Sequence, residues 1–213
     1  MTYINYGYES EDKDDYVIYN SKEENINFEE QNEKIDYECN IVFLGEESVN
    51  KNYIIKCYLN NQIIKCNNNN SLIGFEREVK KINWKGKNIL LNLMDVASQE
   101  IFKTLTKCIY EKGNVFLIFF SYENEESFNR VNLWYDNIVK YKTSDNILIF
   151  IVGLNYDQSI EKLKTITNKE LIEKNLDINN IEFILCDEKN IKSINKIFED
   201  IIEKFDKNNK NSL

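Results

Sequence analysis

The chain has 213 residues, with 36 acidic and 27 basic side chains, a net charge of −9, no His and no Pro. Without His, the protein lacks His-based acid–base and nucleophilic catalysis and the commonest zinc ligand. The acidic balance argues against nucleic acid as a partner, because phosphate neutralisation needs clustered Lys and Arg. A chain of this length can form one domain with a full hydrophobic core.

The five cysteines are widely spaced and include no C-x-x-C pair, so we interpret them as free thiols in a reducing compartment. The longest apolar runs, at 115–120 and 147–152, are far shorter than the roughly 20 residues of a membrane-spanning helix. The N-terminus does not resemble a secretory signal. We therefore expect a cytoplasmic protein.

The N-terminal segment carries the whole net charge. Residues 1–38 contain 12 acidic and 3 basic residues, whereas residues 39–213 contain 24 of each sign. Since such a segment buries too little apolar surface to offset its ordering entropy, we predict that residues 1–37 form a mostly disordered acidic extension. Its interleaved aromatic residues leave a second interpretation open, in which it folds onto a basic partner or back over the protein's own surface.

From residue 39 onward, short apolar runs alternate with amphipathic segments. The runs predict buried strands at 39–44, 88–94, 114–122, 146–152 and 181–185. The amphipathic patterns predict helices at 128–139 and 191–205, and a capping-box sequence at 167–170 predicts another helix start. Lys85-Gly86-Lys87 predicts a hairpin that makes one edge strand antiparallel. The alternation predicts an α/β fold with a mostly parallel sheet and helices on both faces.

The loop after the first strand is the first candidate site, because ligands of such folds bind beyond the carboxyl ends of the strands. It reads Gly45-Glu46-Glu47-Ser48-Val49-Asn50-Lys51-Asn52. Compared with the phosphate-binding loop G-x-x-x-x-G-K-[ST], it keeps the first Gly and the Lys. Asn50 replaces the second Gly, and Asn52 replaces the hydroxyl residue.

Further stretches make the chain resemble the Ras superfamily of small GTPases, nearest to the Rab branch, over residues 38–206. They are Asn40–Gly45, Ile73–Phe75, Met94–Phe102, Ser127-Phe128 with Trp134 and Tyr135, Ile151–Asp157 and Cys186–Lys189. The spacing from Leu72 to Asp95 matches that between the family's switch I threonine and switch II aspartate. The resemblance implies a P-loop NTPase-like, Ras-type fold with a mostly parallel six-stranded sheet, followed by a short polar tail at 207–213.

The resemblance also implies a site for GTP or GDP with Mg²⁺. Gly45 and Lys51 match the phosphate-binding residues, and Asn52 and Asp95 match the residues that hold Mg²⁺. Gln99 matches the residue that orients the attacking water during catalysis.

On the base side, Leu154-Asn155-Tyr156-Asp157 stands in place of the N-K-x-D motif and keeps only Asp157, which would accept from the guanine edge. Lys189 is kept from the S-A-K motif. Leu72 replaces the switch I threonine, and Ser98 replaces the switch II glycine. Together with Asn50, Asn52 and Leu154, these changes could remove about 5–10 kcal/mol of binding free energy.

Two functions therefore compete. In the first, the protein is a Rab-like pseudo-GTPase that serves as a protein-interaction module, in vesicle or membrane traffic, with guanine nucleotide bound weakly or not at all. In the second, it is a divergent but working switch that binds GTP and hydrolyses it slowly. A non-GTPase α/β fold, such as a receiver domain, is disfavoured by the order of the motifs.

The partner surface expected from the resemblance is an aromatic patch of Phe75, Trp84 and Phe102 between the switches, together with the acidic extension. The C-terminal residues contain no Cys for prenylation, and Thr2 excludes myristoylation. We expect no direct lipid anchor, so that a partner would have to hold the protein at a membrane.

Overall fold

The computed structural model describes residues 34–65, 74–97, 103–142, 147–154 and 181–211. Within these ranges, six strands form one sheet in the order β2-β3-β1-β4-β5-β6. The strands are β1 (Tyr37–Gly45), β2 (Phe75–Trp84), β3 (Lys87–Val96), β4 (Val115–Ser121), β5 (Leu148–Leu154) and β6 (Ile181–Cys186). Neighbouring strands are parallel except β2 and β3, which are antiparallel. The predicted mostly parallel six-stranded sheet is confirmed.

Helices cover both faces of this sheet. They are α1 (Lys51–Asn60), α2 (Lys103–Lys112), α3 (Glu125–Asn129), α4 (Val131–Tyr141) and α5 (Ile191–Asn211), with a short 3-10 helix at Glu47–Val49. Apolar side chains of α1 and α5 fill one core with one face of the sheet, and those of α2 and α4 fill a second core with the other face.

The central strand β4 shows why the apolar runs become strands. All seven of its residues are buried. Val115, Leu117 and Phe119 enter the core under α1 and α5, whereas Phe116 and Ile118 enter the core under α2 and α4. A strand covered on both faces needs apolar side chains at every position, so its sequence shows a continuous run rather than an alternation.

The predicted hairpin is confirmed. Lys85 and Gly86 join β2 to β3, and their φ angles are 51° and 83°. Two successive positive φ angles are typical of the tight turns whose twist matches that of the paired strands.

The amphipathic segment at 128–139 forms parts of two helices rather than one. Ser127 Oγ accepts a 2.9 Å hydrogen bond from the Ser121 backbone and donates to the Asn124 carbonyl at 2.6 Å. These bonds hold the short α3 against the end of β4. The break between the two helices lies at Arg130, which ends α3 and precedes the start of α4 at Val131.

The final helix continues to Asn211, past the predicted end of the domain at residue 206. Asp206 lies near its end and is almost fully buried. Its carboxylate accepts from Lys87 Nζ at 3.0 Å and pairs with Lys210 Nζ at 2.8 Å. The contact with Lys87 fixes the last turns of α5 to the hairpin, and the pair with Lys210 lies within α5 itself. Most of the expected polar tail is therefore helix. The capping-box sequence at 167–170 and most of the acidic extension, residues 1–33, lie outside the described residues.

Candidate functional site

The candidate site lies at the carboxyl ends of β1 and β3, where the loop from β1 leads into α1. Gly45 ends β1 with a φ of 134°. A Cβ at this position would lie 2.6 Å from the Phe119 carbonyl oxygen on β4. Glycine is therefore required both by the backbone angle and by the close approach of the neighbouring strand.

The loop itself folds into a 3-10 helix. The Val49 amide donates to the Glu46 carbonyl at 3.2 Å, and the Asn50 amide donates to the Glu47 carbonyl at 3.1 Å. Asn50 adopts a left-handed conformation with φ 50° and ψ 48°, which Asn tolerates better than most side chains. Two amide N–H groups that a phosphate-binding loop directs at its ligand are thus bonded within the loop.

Side-chain contacts fix the loop further. Glu46 forms a salt bridge with Arg130 at 3.0 Å, and Ser48 Oγ accepts a 3.0 Å hydrogen bond from Asn124 Nδ2. Both partners follow β4 in the chain. Glu46 and Glu47 place two carboxylates in the loop, a charge that opposes the binding of an anion.

Lys51 begins α1 and is only 5% exposed. Its Nζ donates to the Gly45 carbonyl at 2.8 Å and lies 3.7 Å from Asp95 Oδ1. Burial lowers the pKa of the Lys51 ammonium, and the charges of Asp95 and Glu46 oppose that effect. The structure therefore brings together three of the predicted site residues, Gly45, Lys51 and Asp95.

Asp95 stands near the end of β3 and is 3% exposed. Burial raises its pKa from 3.8 to about 6, although the neighbouring Lys51 ammonium lowers it. Its Oδ1 is buried without a hydrogen-bond partner among the described residues. The 3.7 Å contact with Lys51 is therefore an ion pair rather than a hydrogen bond.

Glu76 joins this site, although the sequence analysis did not identify it. It is the direct antiparallel partner of Asp95 across β2 and β3, so the two side chains lie on one face of the sheet. Asn52 Nδ2 donates a short hydrogen bond to Glu76 Oε2. The charge of Glu76 also contributes to the raised pKa of Asp95. The register of the predicted hairpin contains the signal for Glu76, because positions 76 and 95 become opposite when residue 84 pairs with 87.

The base side of the site contains apolar and acidic groups. Leu154, at the Asn position of the base motif, ends β5 and is 1% exposed. Lys189 is exposed, and its backbone amide donates to Asp187 Oδ1 at 3.0 Å. Burial and the charge of Glu123 raise the pKa of Glu188. Lys189 therefore shares a turn with two acids before α5.

Other residues of the predicted site lie outside the described residues. They are Leu72, Ser98, Gln99, Phe102 and Asp157. Their assigned roles remain predictions.

The predicted aromatic patch is wrong for Phe75 and Trp84. These residues are at opposite ends of β2, about 30 Å apart along the strand. Phe75 packs against the core under α2 and α4, whereas Trp84 packs against the core under α1 and α5. They cannot form one surface, because they are nine positions apart in the strand and an odd spacing places two side chains on opposite faces of the sheet.

This architecture, with a strand, a phosphate-loop-like turn and a helix beside a strand-end aspartate, defines the Ras-type small-GTPase fold. The family model described as the Ras family matches residues 40–207. The chain therefore belongs to the Ras family.

The relatives come from the Rab and Ypt branch. The chain is 27% identical to human Ras-related protein Rab-3A over 175 residues, which cover 82% of this chain and 77% of the relative. It is 26% identical to GTP-binding protein YPT1 of Saccharomyces cerevisiae over 153 residues, covering 72% and 71% of the two chains. It is 27% identical to GTP-binding protein YPTM2 of Zea mays over 132 residues, covering 62% and 64%.

Among the residues that the structure describes, no helix is long and apolar enough to cross a membrane. Across the same ranges, no group of three or more Cys, Asp or Glu side chains is arranged to hold a metal ion.

Proposed function

We propose that this Ras-family protein is a Rab-like pseudo-GTPase, which uses the fold as a protein-interaction module and binds guanine nucleotide weakly or not at all. The observation that carries the proposal is the 3-10 helix in the loop after β1. Because the Val49 and Asn50 amides already donate to the loop's own carbonyls, they are not available to a phosphate chain unless the loop opens.

Opening the loop would disturb its other contacts. The loop would move away from Arg130 and Asn124, which bind Glu46 and Ser48. Asn50 would also bring a side chain to a place where phosphate needs close access to the backbone. The family's tight interaction with phosphate is thus replaced by an arrangement in which the loop satisfies itself.

Mg²⁺ fits this arrangement poorly. Asn52 carries an amide in place of the hydroxyl, and its Nδ2 donates to Glu76. Mg²⁺ demands near-ideal octahedral geometry and short oxygen contacts. Burial also raises the pKa of Asp95 to about 6, so its charged form is less favoured than that of an exposed carboxylate.

The base side gives the same indication. Leu154 presents an apolar side chain where the family uses an amide, so a buried polar edge of guanine would lose a partner there. Glu188 lies close enough to Glu123, Asp187 and Lys189 for their charges to affect its pKa, so the acids outnumber the lysine in this group. A triphosphate approaching this surface meets repulsion rather than steering.

A divergent working switch is the second candidate, and one observation favours it. Lys51 and Asp95 stay within 3.7 Å of each other at the strand ends, as the family's phosphate and metal residues require. An ammonium has three donors, and Gly45 occupies one of them. The relatives YPT1 and YPTM2 are both named GTP-binding proteins, which is consistent with this candidate.

Titration with fluorescently labelled GTP, with and without Mg²⁺, separates the two candidates. The pseudo-GTPase predicts no saturable binding up to about 100 μM nucleotide, a range in which a working switch would saturate. The working switch predicts Mg²⁺-dependent binding that Lys51→Ala abolishes. Lys56→Ala is the matched control, because Lys56 is an exposed lysine on the same helix.

Membrane traffic is the setting that the Rab resemblance implies. The pseudo-GTPase would then contribute a stable surface rather than a nucleotide-controlled one. Capture of the same protein partners by the wild type and by Lys51→Ala would support a surface that does not depend on nucleotide. Loss of every partner in Lys51→Ala, with the fold intact, would contradict it.

A further inference from the structure

One face of the edge strand β2 is basic and exposed. The β2 outer face consists of Arg77, Val79, Lys81 and Asn83, whose alternating side chains point away from α1 and α5, and all four are exposed. Val79 is 46% exposed and lies between the two cations. The two acids of β2, at 76 and 78, belong to the opposite face, because they alternate with this set.

The neighbouring strand extends this face without adding charge. Lys81 is paired with Leu90, Val79 with Asn92, and Arg77 with Met94. Asn92 is fixed by hydrogen bonds from Arg77 Nη2 and to Asn40, at 2.7 Å each. The β2 outer face thus offers an apolar centre at Val79 and Leu90 with a cation on each side.

The start of the described chain lies on the same side of the sheet. Asn83 Nδ2 donates to Asn88 Oδ1 at 3.1 Å, and Asn88 Nδ2 donates to the Lys34 carbonyl at 3.3 Å. Asn83 and Asn88 are direct cross-strand partners, so their side chains share the face that carries Lys81. This bridge places Lys34 near one end of the β2 outer face.

The segment that precedes Lys34 has the complementary chemistry. Residues 1–33 contain ten acidic and two basic residues, a net charge of −8. The acidic and aromatic residues closest to Lys34 in the sequence are Phe28, Glu29, Glu30 and Glu33. The distance along β2 from Asn83 to Arg77 is about 20 Å, which six or seven extended residues can span. Residues 27–33 are therefore long enough to reach both cations and bring an aromatic ring near Val79.

We propose that residues 27–33 dock on the β2 outer face of the same chain, with the glutamates against Arg77 and Lys81 and Phe28 over Val79 and Leu90. The contact is intramolecular, because a short tether gives the segment an effective concentration that a separate partner seldom reaches. The inference does not depend on whether the protein binds nucleotide.

Hydrogen exchange of the full chain, followed by mass spectrometry, tests this proposal. In about 50 mM salt, the amides of residues 27–33 should exchange about three- to tenfold more slowly than in 500 mM salt, because salt screens the ion pairs. Lys81→Glu should remove the protection. The control Lys192→Glu should keep it, since Lys192 is an exposed lysine at the start of α5, on the other face of the sheet.

Arg77→Glu is the second variant, and it should remove the protection of residues 27–33 as Lys81→Glu does. Protection of the β1 and β3 amides shows whether each variant remains folded. Exchange of residues 27–33 at the free-peptide rate in the wild type at low salt would overturn the proposal. Protection that grows with protein concentration would also overturn it, because it would assign the contact to a second copy. Equal loss in Lys81→Glu and Lys192→Glu would show a non-specific charge effect and would refute the assigned surface.

Discussion

Replacing Lys51 by Met tests how the buried pair with Asp95 is balanced. Lys51→Met keeps the length of the side chain and removes the ammonium that lies 3.7 Å from the Asp95 carboxylate. The carboxylate remains buried and loses its ion-pair partner, whereas Lys56, whose charge has a smaller effect on the pKa of Asp95, remains. Its pKa should rise above the value of about 6 that it has beside Lys51.

The magnitude follows from the pKa of Asp95. Each pKa unit corresponds to about 1.4 kcal/mol, so a pKa of about 6 against 3.8 already costs about 3 kcal/mol when the carboxyl is ionised. Without Lys51, the buried carboxyl can take up a proton instead of staying charged. At pH 8 this protonation limits the free-energy cost of burying Asp95 to about 6 kcal/mol. Lys51→Met should therefore lower the free energy of unfolding at pH 8 by up to about 3 kcal/mol through this group.

The sign of the pH dependence separates this effect from others. Because the folded-state pKa of Asp95 is raised, its contribution to stability is fully present below 3.8 and is lost as the pH rises through about 6. At about pH 5.5 the carboxyl is largely protonated in both proteins, so the difference should shrink to a few tenths of a kcal/mol. The lost bond to the Gly45 carbonyl adds about 1 kcal/mol at either pH.

Urea unfolding of both proteins between pH 5.5 and 8 measures this difference. The double variant Lys51→Met with Asp95→Asn is the control, since it removes both charges and should show no such pH dependence. A stability difference between Lys51→Met and the wild type that is the same at both pH values would refute the reasoning. It would mean that Asp95 does not depend on Lys51 for its charge state.

Two further predictions concern the scaffold. Gly45→Ala should lower the free energy of unfolding by about 3 kcal/mol or more, because its Cβ would meet the Phe119 carbonyl, whereas Gly86→Ala, which has a positive φ but open space, should cost only about 1 kcal/mol. Equal losses on chemical unfolding would contradict the steric argument. Asp206→Asn should cost about 1–2 kcal/mol at pH 7, since bonds from Lys210 and Lys87 lower the pKa of Asp206. That contribution is present above the ordinary pKa and is lost as the pH falls through the lowered one, so the stability difference between wild type and variant in unfolding experiments should shrink over that fall.

The strands and the antiparallel edge hairpin were accessible from the sequence because both cores impose strong patterns. β4 is a continuous apolar run, and the turn at Lys85 and Gly86 determines the register of β2 against β3. The burial of individual helix residues was less accessible. Val139 fits the helical period of α4 yet is 59% exposed, because an apolar residue at the margin of a helix face does not have to be buried.

The candidate site was accessible only in part. Motif comparison identified Gly45, Lys51 and Asp95, which the fold brings together at the strand ends. It missed Glu76, because a cross-strand neighbour becomes visible only after the hairpin register is known. It also placed Phe75 and Trp84 together, although period-two alternation puts residues nine positions apart on opposite faces. Motif position thus predicted which residues occupy the site, but the bonds among them depend on the packing.

The nucleotide content of the protein tests the central claim most directly. The full chain is purified without added nucleotide and denatured, and the supernatant is analysed by anion exchange against GDP and GTP standards. The account predicts folded protein with well below one guanine nucleotide per chain. Stoichiometric GDP or GTP would contradict it, because the loop after β1 would then have to open and direct the Val49 and Asn50 amides at phosphate.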